Sequence, residues 1–256
     1  MNIFVLIKQV PDTEAVLAVR DGKTINEDGI KWIISPYDEY AIEEAIKLKE
    51  QNEGYKVNIL TLGPQRSESA IRSALAMGAD NGIHIETDEH PNAKETAKIL
   101  AEAIKKEPDH GIIFMGKQAI DEDSNQIHIL VAEFLGLPVA TNVTRFTMNG
   151  DKVVVDREID EGAIETIEMG IPCVIGASKG LNTPRYASLM GIMKAKKIPL
   201  KKISLSDLGF AELSGSVSTE KLYSPPEKPE GKVLEGEPEE VVKELVRLLK
   251  EEVKVL

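Results

Sequence analysis

The 256-residue chain carries 43 acidic residues against 31 basic ones, and the resulting net charge of -12 excludes a general binder of nucleic-acid phosphates. Its one cysteine, Cys173, excludes an internal disulfide framework and a Cys-rich metal site, which suits a reducing compartment and makes the cytoplasm the expected location. No apolar run approaches the roughly 20 residues that a membrane-spanning helix needs, so no insertion into a membrane is expected.

Residues 3–7 form a continuous apolar run, the pattern of a strand buried on both faces, and Val10-Pro11-Asp12-Thr13 ends it in a turn. The stretch 2–10 carries Lys8 and lacks a basic leader or cleavage site, so it reads as a first strand. Asp21-Gly22 and Asp28-Gly29 suggest a hairpin excursion. Ser35-Pro36-Tyr37-Asp38 then leads into a helix whose Ala41, Ile42, Ala45 and Ile46 keep helical spacing. The unit repeats: strand 57–62 and helix 69–77 with Gly78 as cap, strand 82–85 and helix 93–105, strand 111–115 and a helix from about Asn125 to Leu135. This alternation predicts an α/β fold with a Rossmann-like, doubly wound, mostly parallel sheet.

After Pro138 the pattern changes. Segments 142–147 and 152–159 flank Met148-Asn149-Gly150-Asp151, a hairpin signal that predicts an antiparallel edge. Residues 173–177 read as the last core strand, and 184–196 has helical apolar spacing. Residues 214–237 are rich in Pro, Gly, Ser and charge and read as an extended arm before an amphipathic helix over 238–253. The expected organisation is a domain over 1–208 and a C-terminal arm with its helix over 209–256.

The most informative segment is Gly116-Lys117-Gln118-Ala119-Ile120-Asp121-Glu122-Asp123-Ser124-Asn125-Gln126, between an apolar strand and a helix. In open parallel sheets ligands bind beyond the carboxyl ends of the strands, and the amides that open the next helix favour phosphate. Leu62-Gly63-Pro64 and the Val10 turn are expected at the same edge. Lys117 or the loop amides would meet phosphate oxygens, Asn125 and Gln126 would donate at the helix start, and Asp121 or Asp123 would accept from ribose hydroxyls. The same letters also suit an ordinary capping loop, and neither G-x-x-x-x-G-K-[ST] nor G-x-G-x-x-G occurs. Asp121-Glu122-Asp123 lacks an EF-hand pattern, so no metal is expected. His84, His90, His110 and His128 are scattered and there is no nucleophile elbow, so no residue is assigned to acid, base or covalent catalysis. The cluster Lys194, Lys196, Lys197, Lys201, Lys202 reads either as favourable charge at a helix end or as a docking patch for an acidic partner.

Four ordered motifs carry a resemblance that covers essentially the whole chain. The Gly116 to Gln126 loop, Ala74-Leu75-Ala76-Met77-Gly78-Ala79-Asp80, Arg157-Glu158-Ile159-Asp160, and Asn182-Thr183-Pro184-Arg185-Tyr186-Ala187 followed by Ile192-Met193-Lys194-Ala195-Lys196-Lys197 resemble the β subunit of electron-transfer flavoproteins. The resemblance implies a heterodimer with an α subunit that carries most of an FAD site. It implies that Gly116 to Ile127 wraps the phosphates of an adenine nucleotide, joined by Leu6, by Ser35, Pro36, Tyr37 and Asp38, and by Leu62 with Gly63. The loop ending at Lys197 resembles the family's recognition loop for partner dehydrogenases, with Leu189 at the anchor position and Lys194 and Lys197 in its basic flank.

Simple one-flavin members commonly have a tyrosine where this chain has Thr13. Lys8-Gln9-Val10-Pro11-Asp12-Thr13 resembles the electron-bifurcating version instead, in which the β subunit holds a second FAD rather than AMP. That version implies NADH as donor and ferredoxin or flavodoxin as one acceptor. The other electron leaves through the α-subunit FAD to an acyl-CoA dehydrogenase or a quinone-linked oxidoreductase. Lys8, Val10, Asp12 and Thr13 then join the cofactor-binding set. A β subunit with structural AMP and a stand-alone ATP- or AMP-binding signalling module of similar fold are the alternatives.

Overall fold

The computed structural model describes residues 1–210, 213, 217–226 and 231–256. Its first strand, β1 (Asn2–Leu6), is followed by a small two-stranded ribbon of β2 (Gln9–Pro11) and β5 (Trp32–Ile34), with β3 (Val19–Arg20) and β4 (Thr24–Ile25) pairing between them. Positive φ at Asp21 and Gly22 gives the β3–β4 hairpin the turn hand that matches strand twist. Helix α1 (Pro36–Gln51) begins the repeating part, which continues with β6 (Lys56–Gly63), α2 (Glu68–Met77), β7 (Asn81–Glu86), α3 (Ala93–Lys105), β8 (His110–Gly116) and α4 (Ile127–Leu135). Next come β9 (Val139–Asn149), β10 (Lys152–Glu158), β11 (Ile164–Gly170), β12 (Cys173–Ala177), α5 (Leu189–Ala195), β13 (Leu200–Ser204) and α6 (Pro238–Leu248).

Nine strands form one sheet in the order β11-β10-β9-β12-β8-β1-β6-β7-β13. All neighbours from β9 to β13 run parallel, and β10 pairs antiparallel with β9 and β11. The expected Rossmann-like α/β fold with an antiparallel edge is what forms. Strand alternation explains the two cores: Ile3 and Val5 of β1 pack with α1 and α2 residues such as Ile42 and Ile71, whereas Phe4 and Leu6 pack with Ile99 of α3 and Val131 of α4. Each such fully buried side chain contributes about 1.5–3 kcal/mol.

Four expectations shift. Helix α4 starts at Ile127 rather than Asn125, because Asp123 and Asn125 both take positive φ, a backbone hand that cannot continue a right-handed helix. The helix expected over 184–196 is confined to Leu189–Ala195, since the segment before it is tied to α1 by Asn182 and Arg185. Residues 173–177 are not the last core strand, because β13 follows and adds to β7 at the far edge. β11, which no pattern in the letters marked, pairs along the whole of β10. The arm expected over 214–237 lies in part, at 214–216 and 227–230, outside the described residues.

The chain forms two compact units. Residues 1–17 and 27–219 hold the large sheet, and residues 18–26 with 220–256 form the second. In the second, Leu222 donates its amide to Gly22 O at 2.7 Å, and α6 leaves Val242, Leu245 and Val246 exposed. Among the described residues no helix is long and apolar enough to cross a membrane.

Candidate functional site

The parallel registers align the carboxyl ends of four strands: Gly116 of β8 stands level with Ala177 of β12, Ala177 with Val143 of β9, and Met115 with Leu6 of β1. Leu6 in turn pairs with Leu60, so Leu62 and Gly63 at the end of β6 project beyond the same edge. Buried Asp38, in the first turn of α1, clips this edge together. Its carboxylate accepts the Lys8 amide at 2.8 Å and the Gly116 amide at 2.8 Å, one on each oxygen. Burial pushes the Asp38 carboxyl up to about 7, against the pull of these two amides. Gly116 has to be glycine: a Cβ there would stand 2.6 Å from Asp38 Oδ1 and 2.7 Å from Tyr37 Cβ.

The loop after Gly116 folds back on the same wall. Lys8 Nζ lies 2.8 Å from Asp121 and 3.4 Å from Glu122, Lys117 Nζ sits 5.1 Å from the centre of the Tyr37 ring, and Gln118 donates to Asp123 at 2.6 Å. The Asp123 amide donates to Ala119 O, closing a turn over Ile120 and Glu122 towards Ser124. Helix α4 then opens on Gln126 with no side-chain cap and no acidic residue in its first turn. By contrast, α3 opens with a complete Asn92–Glu95 capping box. The first amides of an uncapped helix are orphan donors with positive dipole behind them, a ready seat for an anion.

Two buried oxygens at this edge have no hydrogen-bond partner among the described residues, Ser35 Oγ before α1 and Asn125 Oδ1 before α4. Leaving such atoms unpaired costs about 1–3 kcal/mol each, so a polar partner at either would be favoured. Asn125 and Gln126, expected to donate at the helix start, lie immediately before its first residue, with Gln126 as the N-cap, and the buried unpartnered atom of Asn125 is its acceptor oxygen.

The structure therefore brings together Leu6, Lys8, Ser35, Pro36, Tyr37, Asp38, Leu62, Gly63 and the 116–127 loop. Val10, Asp12 and Thr13 take another course. Val10 is buried in the β2–β5 ribbon, Asp12 pairs with Lys31 at 2.6 Å, and the Thr13 hydroxyl donates to Asp12. The Lys31 bond holds the Asp12 carboxyl below the usual carboxylate range. The ribbon does start at the edge, since the Ser35 amide donates to Lys8 O at 2.9 Å.

Sequence reasoning missed a further group on the β12 side. His128 Nε2, Thr141 Oγ1 and Asn142 Oδ1 are buried without partners among the described residues, and a Cβ on Gly176 would stand 2.9 Å from His128 Nε2 and 3.3 Å from Thr141 Cα. Burial depresses His128 to about 4, so it is neutral at pH 7. The only signal in the letters was Gly176 inside an otherwise apolar strand, a mark of close approach by a neighbour.

The Leu189 region lies apart on a firm mount. Arg185 bridges Glu43 at 2.9 Å and Glu50 at 2.5 Å, Asn182 donates to Tyr40 O and Glu44, and Arg72 of α2 donates to Ala195 O and Ile198 O at the end of α5. A Cβ on Gly191 would stand 2.3 Å from Ala76 O, so α5 lies directly on α2. On this mount Tyr186 is 98% exposed and Leu189 and Met190 are each 82% exposed, large apolar side chains close together in the sequence and open to solvent. The lysine cluster splits: Lys201 and Lys202 lie on β13 and pair with Glu107 and with Glu68 and Glu86, while Lys194, Lys196 and Lys197 stay beside the apolar group.

Comparison with known proteins decides the family. Residues 22–208 match the electron transfer flavoprotein domain. The chain belongs to the electron transfer flavoprotein β-subunit family. It is 43% identical over 261 residues to the electron transfer flavoprotein subunit beta of Bacillus subtilis (strain 168), covering all of both chains. It is 38% identical to the Bos taurus subunit beta, over 98% of this chain and 97% of that one, and 38% identical to the mitochondrial subunit beta of Arabidopsis thaliana, covering all of both. Membership in the electron transfer flavoprotein family implies association with a flavin or nucleotide, and a β subunit implies an α-subunit partner.

Proposed function

We propose that the edge formed by β8, β1 and β6 holds the adenine-nucleotide part of an FAD, and that this chain works as the β subunit of an electron-bifurcating electron transfer flavoprotein. The observation that carries the nucleotide reading is the uncapped start of α4 behind a glycine that leaves no room for a side chain. Uncapped amides suit phosphate oxygens, and the unpartnered Ser35 and Asn125 oxygens suit hydroxyl or amino donors of a nucleoside, so the residues present fit the group.

In this reading Asp38 positions Lys8 and Gly116, the 116–127 loop supplies amides, and Lys8 offsets Asp121 and Glu122 so that an anion meets less repulsion. The bound flavin supplies the redox chemistry, dividing an electron pair from NADH between ferredoxin or flavodoxin and the α-subunit FAD. Protein groups contribute binding, orientation and electrostatics. The exposed apolar group around Leu189, flanked by Lys194 and Lys197, docks an acyl-CoA dehydrogenase or quinone-linked oxidoreductase. Residues 209–256, with the apolar face of α6, engage the α subunit, and the complex works in the cytoplasm.

Thr13 in a Val-Pro-Asp-Thr turn supports the bifurcating form over one with structural AMP. Flavin counting on the co-purified αβ complex tests it. The expected content is about two FAD per heterodimer. One FAD together with AMP would return the chain to the non-bifurcating class.

A further inference from the structure

We propose that Glu68, His84 and Glu86 form a binding site for a divalent cation of the zinc class, with Lys202 as the built-in competitor for the same carboxylates. The site lies on the α2–β7–β13 side of the sheet and is independent of the nucleotide reading.

His84 carries the argument. Its side chain is 0% exposed, and its Nε2 lies 3.0 Å from Gly63 O. A carbonyl only accepts, so Nε2 is the nitrogen that donates to it, and Nδ1 is the one placed to bind a metal. That Nδ1 is buried without a hydrogen-bond partner among the described residues, with Glu68 Oε1 3.9 Å away. Histidine ligands of metals are oriented in this way, one nitrogen donating to a backbone carbonyl and the other left bare.

Two carboxylates stand near His84. Glu86 is two residues along β7 and shares its face, and Glu68 opens α2. One ligand atom from each of the three residues lies within 4.8 Å of the others. Donors at the usual zinc distances sit about 3.5 Å apart, so binding needs only a rotation of carboxylates that are 28% and 43% exposed. One imidazole with two carboxylates suits zinc or cobalt better than calcium or magnesium, which favour oxygen alone.

Lys202 shows that the position attracts a cation. Its ammonium stands 2.6 Å from Glu68 Oε1 and 3.2 Å from Glu86 Oε2, and its half-exposed side chain can swing into solvent. A divalent ion brings one more positive charge to the same oxygens and gains the imidazole, which an ammonium cannot use. Gly63 O accepts the Thr87 amide as well, so metal on His84 would stiffen the end of β6.

The test is equilibrium dialysis of chelator-treated, full-length protein against Zn2+, with Co2+ absorption reporting the ligand field. We expect one ion per chain and visible bands of a low-coordinate Co2+ centre. Glu86→Gln should weaken binding about tenfold or more, since losing even an outer partner of a metal site costs that much, and Lys202→Met should tighten it by a similar factor. Both residues are exposed enough for the variants to fold, which circular dichroism checks. Binding below one ion per chain, or either variant leaving the affinity unchanged, overturns the proposal.

Discussion

Asp38→Asn separates the electrostatics of the edge clip from its shape. In the folded chain the Asp38 carboxyl is pushed up to about 7 by burial, against an ordinary value of 3.8. The folded state therefore binds the proton more tightly than the unfolded state. The stability this brings is complete below the unfolded value, and it is lost as pH rises through the folded value. Between pH 5 and pH 8 the loss from this one group is about 2–3 kcal/mol, since each pH unit crossed between the unfolded and folded values is worth about 1.4 kcal/mol. Asparagine keeps the shape and does not titrate, so Asp38→Asn should remove that slope. At pH 8 it should also face one of the Lys8 and Gly116 amides with its own N–H₂, a mismatch of about 1–3 kcal/mol offset in part by the charge it no longer buries. Urea unfolding of both forms at pH 5 and pH 8 reads the difference of differences, in which the other titrating groups cancel. Equal pH dependence in the two forms would refute the assignment of a high-pKa carboxyl to this clip.

Gly116→Ala should abolish nucleotide retention and cost about 1–3 kcal/mol of stability, because its Cβ meets Asp38 and Tyr37 at less than 3 Å; nucleotide released on denaturation, measured by chromatography, checks it. Leu189→Ala should slow electron transfer to a partner dehydrogenase with flavin content unchanged, since the side chain is 82% exposed and contributes little to the core. An unaltered transfer rate would remove Leu189 from docking.

Much of this fold was legible because parallel strands announce themselves. Residues 3–7, 57–62 and 111–115 are unbroken or nearly unbroken apolar runs, and both faces of each are covered by helices, so periodicity and burial agree. The edge strands are harder to read. β11 reads Ile-Glu-Thr-Ile-Glu-Met-Gly, with no regular apolar alternation and mostly exposed, and β13 carries two adjacent lysines that composition groups with the preceding helix. Pairing those lysines with Glu68, Glu86 and Glu107 depends on three separate elements meeting, which no local pattern encodes. At the site, Gly116 and the polar loop stood out in the letters. The bond of Asp38 to two distant amides did not, since Lys8 and Gly116 lie 30 and 78 residues from it.

The placement of β13 sets a timetable for synthesis. β7 ends at Glu86 and its edge partner begins at Leu200, so 113 residues separate a finished strand from the one that covers it. At about 5–20 residues per second the ribosome leaves that edge open for on the order of 6–23 s. An uncovered apolar edge is a template for pairing with another chain. A nascent chain paused before residue 200 would therefore be at its most prone to aggregate, and chaperone occupancy of ribosome-bound chains should fall once the two lysines of β13 have emerged and paired.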